Sequence, residues 1–109
     1  SSYAVWQERV NEGRKAVAAL MRPDPNFYLF RAVAAAMEQG WLDMAALHRA
    51  FGLDLRGALE PLLEQWSRAG LVEMREDVMV LTLAGQFWQV NLSQLMQDFL
   101  KHVLEESGR

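Results

Sequence analysis

The sequence predicts a mainly α-helical domain with a small β-hairpin, arranged as a winged helix with extra helices at both ends. Three observations predict this fold class. Apolar residues at helical spacing mark two short segments, 44–51 and 55–69, which a tight connection containing Gly52 joins as a helix-turn-helix. Two short apolar runs then flank the acidic pair Glu76-Asp77, a pattern typical of a hairpin wing. A long segment with helical periodicity follows the hairpin.

The chain before the helix-turn-helix predicts two more helices. Tyr3–Glu12 is expected to form the first, with Gly13 as the glycine just past its end. Residues 14–21 are apolar without a stop signal and could be helical or extended. Asp24 followed by Pro25 is typical of a helix start. The helix predicted from there to Gln39 is apolar almost all round, so we expect it near the centre of the fold, ended by Gly40.

The helix-turn-helix itself has clear boundaries. Asp43 is expected to cap Met44–Phe51, and Leu55–Ala69 is expected to be the second helix. Pro61 should kink that second helix in its first half, because proline removes a backbone hydrogen bond. The second helix carries one apolar stripe, which we expect to face the core: Leu55, Leu59, Leu62, Trp66 and Ala69.

The hairpin and the last helix follow. The strands are predicted over Leu71–Arg75 and Val78–Leu83, and Thr82 is expected to cap a helix running from Leu83 to Glu106. Projection at 100° per residue places one broad apolar stripe on this helix: Trp88, Leu92, Leu95, Met96, Phe99, Leu100 and Val103.

Phe87 and Val90 fall well off that stripe, so a second packing partner is needed to cover their side chains. We expect the first helix to pack over them. The alternative is that they form an interdomain surface that meets another part of a longer polypeptide.

Composition limits the class of protein. A chain of 109 residues with 51% hydrophobic and 23% charged residues indicates one globular domain, 1–109. It contains no cysteine, so it can form no disulfide and supply no thiolate to a metal. No apolar run reaches the roughly 20 residues needed to span a bilayer, and no signal-peptide pattern stands at the start. We therefore expect a cytoplasmic location. The chain does not begin with Met, and we expect it to be a piece of a longer protein.

Charge argues against nucleic-acid binding. The formal net charge is −3, and residues 41–85 hold four arginines against seven acidic residues, where a DNA footprint should be positive. On the second helix, Arg56 and Arg68 are matched by Glu60 and Glu64. A winged-helix DNA-binding regulator and a protein-interaction winged helix in a larger assembly remain the alternative hypotheses.

Residues that could carry catalysis are scarce. His48 and His102 lie in different predicted helices without the spacing of a metal site, and we expect His48 to be a half-buried structural residue. The acidic pair Glu105-Glu106 is expected to be solvated. No glycine-rich phosphate loop and no nucleophile motif is present, so we expect no catalytic, cofactor-binding or metal-binding residue in this chain.

The chain carries five motifs in a fixed order: "YAVWQERVNEG", "FRAVAAAMEQGWLDMAAL", "FGLDL", "LEQWSRAGLVEM" and "LTLAGQFWQVNL". Together they resemble the C-terminal region of the oxygen-independent coproporphyrinogen III oxidase family of radical-SAM enzymes, and we expect the chain to be the C-terminal fragment of such a protein. "YAVWQERVNEG" is similar to the helix and glycine that follow the catalytic barrel, and "FRAVAAAMEQGWLDMAAL" to the family's next helix. "FGLDL" corresponds to its Phe-Gly turn and "LEQWSRAGLVEM" to its entry into the hairpin. "LTLAGQFWQVNL" resembles its helix start, with "FWQVNL" closer to relatives in haem utilisation and anaerobic haem breakdown. The family's usual proline after the "EG" helix is absent, since "GRKAV" follows.

The resemblance implies a parent that binds a [4Fe–4S] cluster through a CxxxCxxC motif, cleaves S-adenosylmethionine and acts on a porphyrin or haem. Such a parent is an oxidoreductase or a methyltransferase. Within it, the resemblance implies an accessory domain that packs on the upstream barrel and helps close it. None of the cluster motif lies in this chain, so the domain alone is expected not to be an enzyme.

Overall fold

The computed structural model describes residues 1–21 and 26–108, with the side chains of residues 19 and 21 excepted. Within these residues the fold is mainly helical, with a small three-stranded antiparallel sheet, which confirms the predicted fold class at that level. The winged-helix assignment itself stays a prediction. The elements in chain order are α1 Ser2–Met21, α2 Phe27–Gln39, β1 Trp41–Asp43, α3 Met44–Phe51, α4 Leu55–Ala58, α5 Glu60–Arg68, β2 Val72–Arg75, β3 Val78–Leu81, α6 Leu83–Phe87 and α7 Gln89–Glu106.

The first helix does not end at Gly13, so that prediction was wrong. α1 continues to Met21, and Gly13 is an interior helical residue. An interior glycine costs a helix only about 1 kcal/mol, and the good helix formers of the following "RKAVAAL" offset that penalty. The predicted start of the second helix at Asp24 and Pro25 lies outside the described residues.

The end of α2 leads directly into a strand that the sequence did not reveal. Gly40 adopts the left-handed conformation (φ 93°), and its amide donates to the carbonyls of Ala36 and Met37. β1 then pairs antiparallel with β3, placing Trp41 opposite Val80 and Leu42 opposite Met79. Three residues show no periodicity of their own, so this strand is defined by its pairing rather than by its composition.

The first helix of the predicted helix-turn-helix has its predicted bounds, and the second differs from the prediction. The Asp43 carboxylate caps α3 by accepting from the amide of Ala46, at 3.0 Å. The second helix is divided at Leu59 (φ −96°, ψ 2°) into α4 and α5. Pro61 lies in the first turn of α5, where its missing N–H costs nothing, so the break precedes the proline instead of kinking the helix after it.

Beyond this break the buried side chains differ in part from the predicted stripe. Leu63 is buried in place of Leu62, which is only partly buried, and Ala69 is exposed. Trp66 keeps its predicted place in the core, with 4% of its surface exposed.

The hairpin has the predicted turn. β2 and β3 pair antiparallel with Val72 opposite Leu81 and Arg75 opposite Val78. Glu76 occupies the turn with a positive φ of 56°. β3 ends at Leu81, two residues earlier than predicted, because Thr82 already caps the next helix by accepting from the amide of Gly85.

The predicted last helix is two helices, α6 and α7, separated by Trp88 (φ −101°, ψ 17°). The buried stripe of α7 is correspondingly shifted. Trp88 and Leu95 are half exposed rather than buried, and Leu104 joins the core. All described elements from α2 to α7 except α6 contribute side chains to a single core; the buried residue of α6 is Gly85.

The described core consists of sixteen buried apolar side chains: Leu29, Val33, Met37, Leu42, Met44, Leu55, Leu59, Leu63, Trp66, Val72, Met79, Leu81, Leu92, Met96, Leu100 and Leu104.

Candidate interdomain surface

The short helix α6 is fixed to the start of the hairpin by Thr82. The Thr82 hydroxyl donates to the carbonyl of Gly70 at 2.6 Å and accepts from the amide of Gly85 at 3.2 Å. The Thr82 amide donates to the carbonyl of Leu71 at 3.0 Å. These three bonds set the direction in which α6 leaves the sheet, and therefore which of its side chains point outward.

Gly85 is the residue of α6 that faces inward, and it is buried. Leu83 and Phe87 are four residues apart on the same helix, so they share a face. Both are strongly exposed, at 84% and 79%. Close packing of the glycine against the domain thus leaves the two large apolar residues of α6 on the outside.

The exposed apolar surface continues across the junction with α7. The rings of Phe87 and Trp88 meet edge to face, with centroids 5.2 Å apart. Val90, in the first turn of α7, is 82% exposed. We refer to Leu83, Phe87, Trp88 and Val90 together as the α6–α7 surface.

The start of α7 is anchored to the end of α2 by Gln89. Its side-chain amide donates to the carbonyl of Met37 and to that of Glu38, the latter at 2.7 Å. These carbonyls belong to the last turn of α2, where intrahelical partners run out. The α6–α7 surface therefore stands on a junction held at both ends by hydrogen bonds.

The structure rules out one of the two explanations for Phe87 and Val90. The expectation that the first helix packs over them was wrong, since both side chains are about four-fifths exposed. Two further residues of the α6–α7 surface, Trp88 and Leu83, were not predicted from the sequence. Trp88 was assigned to the core by projecting one continuous helix through the break, and Leu83 was not singled out. The i, i+4 spacing of Leu83 and Phe87 was the available signal.

A groove, separate from the α6–α7 surface, lies between α3, α4, α5 and the hairpin. Its volume is about 800 Å³, and it is lined by charges of both signs over an apolar floor that includes Met44 and Leu63. The Arg56 guanidinium donates to the carbonyl of Glu76 and to the carboxylate of Asp77, the latter at 2.9 Å. Arg68 pairs with Glu64 at 2.5 Å on α5. The two arginines of the second helix are thus engaged by acidic neighbours.

The two histidines lie apart. His48 lines the mixed-charge groove and is exposed. His102 contacts Glu106 at 3.1 Å, one turn away on α7.

Among residues 1–21 and 26–108, no three His, Asp or Glu side chains are grouped so that they could hold a metal ion. In the same ranges, no helix combines the length and the apolar character needed to cross a membrane.

Comparison with known proteins gives one match. The family model described as the HemN C-terminal domain matches residues 24–88, which is more than half of the chain. The match ends at Trp88, so it includes Thr82, Gly85 and most of the α6–α7 surface, and it begins after α1. No curated protein and no solved structure matches significantly.

Proposed function

Because the chain belongs to the HemN C-terminal domain family, we propose that it is the accessory domain of a radical-SAM enzyme acting on a porphyrin. In this proposal the domain packs on the upstream catalytic barrel of the same polypeptide and helps close it. The parent is an oxygen-independent coproporphyrinogen III oxidase or a haem-utilisation protein of the cytoplasm. Family membership already places such a domain within a larger, multidomain protein.

The α6–α7 surface carries this proposal. It presents four large apolar side chains, each at least half exposed, on a support fixed by Thr82 and Gln89. Exposed apolar surface held on a rigid frame is typical of a protein interface. A surface of this kind is suited to bury itself against another domain, with Phe87 before the helix break and Val90 after it.

The chemistry in this proposal belongs to the parent. The parent's cofactors would be S-adenosylmethionine and a [4Fe–4S] cluster, which is held by cysteine thiolates. This chain has no cysteine, so its residues cannot ligate such a cluster. The contribution assigned to this domain is therefore covering and positioning, with no proton or group transfer.

A DNA-binding regulator is less well supported. Its reading helix would be α4–α5, whose Arg56 and Arg68 are paired with acidic groups beside a groove of mixed charge. Phosphate binding would have to break both pairs without a surplus of cations nearby.

The test is Phe87→Ser in the full-length polypeptide and in the 109-residue chain, with Leu95→Ser as the matched control. Leu95 is an exposed leucine on α7, 53% exposed and outside the α6–α7 surface. We expect either change to cost the isolated chain less than about 0.5 kcal/mol, as is usual for exposed positions. In the full-length protein, Phe87→Ser should lower S-adenosylmethionine consumption with coproporphyrinogen III or haem several-fold, whereas Leu95→Ser should leave it unchanged.

Two results would overturn the proposal. One is a full-length gene product without a CxxxCxxC barrel upstream of this domain. The other is amide hydrogen exchange of residues 83–90 that is equally fast in the full-length protein and in the isolated chain, because a covered surface would exchange more slowly.

A further inference from the structure

α1 carries an apolar stripe with the spacing of a coiled-coil seam. Successive members are separated alternately by three and four residues, with Gly13 at the one position that has no side chain: Tyr3, Trp6, Val10, Gly13, Val17 and Leu20. The rings of Tyr3 and Trp6 lie on the same side of the helix, with centroids 6.1 Å apart. Leu20 is 86% exposed and Tyr3 is 72% exposed, so the stripe is open to solvent.

The helix that bears this stripe stands outside the domain proper. None of the α1 side chains that the structure describes belongs to the sixteen-residue core. The family match starts at residue 24, three residues beyond the end of α1. Most helical stability in proteins comes from packing an apolar face rather than from propensity, and the described core does not include any side chain of α1. α1 therefore requires a partner that the domain itself does not provide.

The charges beside the stripe argue against a second copy of α1 as that partner. Arg9 and Arg14 flank the stripe on its two sides, while Glu8 and Glu12 lie on the opposite side of the helix. In a parallel pair of copies, Arg9 of one helix would face Arg14 of the other. No acidic residue occupies a flanking position, so self-association would have no attractive ion pair in either orientation.

We propose that α1 is the last helix of the upstream catalytic part rather than the first helix of the C-terminal domain. Its stripe packs into an apolar groove of that part, and the rim of the groove carries Asp or Glu side chains that pair with Arg9 and Arg14. This rests on the proposed function only in requiring an upstream part of the same polypeptide.

The test measures amide hydrogen exchange of α1 by mass spectrometry in the full-length polypeptide and in the 109-residue chain. The stripe variant is Val10→Asp with Val17→Asp. The matched control, Asn11→Asp with Ala18→Asp, adds the same charges one residue along, at exposed positions off the stripe. We expect α1 amides to exchange about tenfold or more slowly in the full-length protein. The stripe variant should abolish that protection and the control should keep it, with the exchange of the core helices unchanged in both.

Equal α1 exchange in the two proteins would overturn the inference. So would concentration-dependent dimers of the 109-residue chain in sedimentation at about 100 µM that the stripe variant abolishes and the control retains, since the occupant would then be a second copy. These outcomes are separate from failure of the proposed function, which is measured at residues 83–90 and by the presence of the CxxxCxxC motif. Protection of α1 in a full-length protein without that motif would support the helix assignment alone.

Discussion

The carbonyl oxygen of Leu71 lies where a Cβ on Gly85 would stand: a Cβ built there comes within 2.0 Å of that oxygen. The same carbonyl accepts from the amide of Thr82, and the Thr82 hydroxyl bonds Gly70. The spacing of "GL" and "LT..G" in the sequence is thus explained by one junction, at which α6 crosses directly over the entry to the hairpin.

Gly85→Ala is expected to destabilise the domain. The obstacle is backbone that cannot rotate away, so the methyl group must displace either α6 or the hairpin. Overpacking of this kind costs about 1–3 kcal/mol or more. Urea unfolding followed by circular dichroism measures the loss, and a change below about 0.5 kcal/mol would contradict it.

Gly13→Ala is the control for Gly85→Ala. Gly13 is an interior residue of α1, and in the part of the chain that the structure describes no heavy atom beyond the adjoining helix backbone lies within 4 Å of a Cβ placed there. Alanine there should favour the helix by about 0.5–1 kcal/mol and leave unfolding of the core unchanged.

The sequence predicted the elements whose boundaries depend on local chemistry. Asp43 and Thr82 are capping residues, and Gly40 and Gly52 adopt the left-handed conformation that ends α2 and α3. These residues act through bonds to neighbours three or four positions away, so the local sequence around them locates them.

Features that depend on distant contacts could not be predicted in this way. The strand at Trp41 exists because β3 offers it a partner, and the breaks at Leu59 and Trp88 interrupt segments whose apolar spacing looks continuous. After each break the buried set differs in part from the predicted stripe, with Leu63 in place of Leu62 and with Leu104 added on α7. For the same reason the exposure of Phe87 could be suspected from periodicity, while that of Trp88 could not.

Trp66→Ala is expected to cost about 3–5 kcal/mol, because the side chain is 4% exposed and its loss leaves a large cavity in a small core. Trp88→Ala is the matched control, since that tryptophan is 50% exposed and should cost much less. Thermal unfolding of both variants measures the difference. Equal melting temperatures for the two variants would show that Trp66 contributes no more than a surface residue.

Removing Arg56 and Arg68 together by substitution with Ala should change stability by no more than about 1 kcal/mol. Both arginines form ion pairs with acidic partners whose side chains are roughly half exposed, and such pairs contribute little. Activity of the full-length protein should stay nearly intact. A large loss of activity at unchanged stability would reveal a polar docking site in the mixed-charge groove.

The same arginine variant tests the DNA hypothesis. Fluorescence anisotropy with random duplex DNA at about 50 mM salt should show no saturable binding by the unmodified chain. Binding that weakens with added salt and disappears in the arginine variant would support the regulator instead.

Gln89→Ala is expected to cost about 0.5–1.5 kcal/mol, a typical net contribution of lost hydrogen bonds. The side chain reaches back to the carbonyls of Met37 and Glu38, and thereby ties α7 to the last turn of α2. Gln86→Ala is the control: it makes the same change at an exposed position of α6, so any gain in helix propensity cancels in the comparison. Amide exchange at Gly40 and in the first turn of α7 should rise in the Gln89 variant only. If the two variants match in both unfolding free energy and local exchange, the junction is held by the core alone.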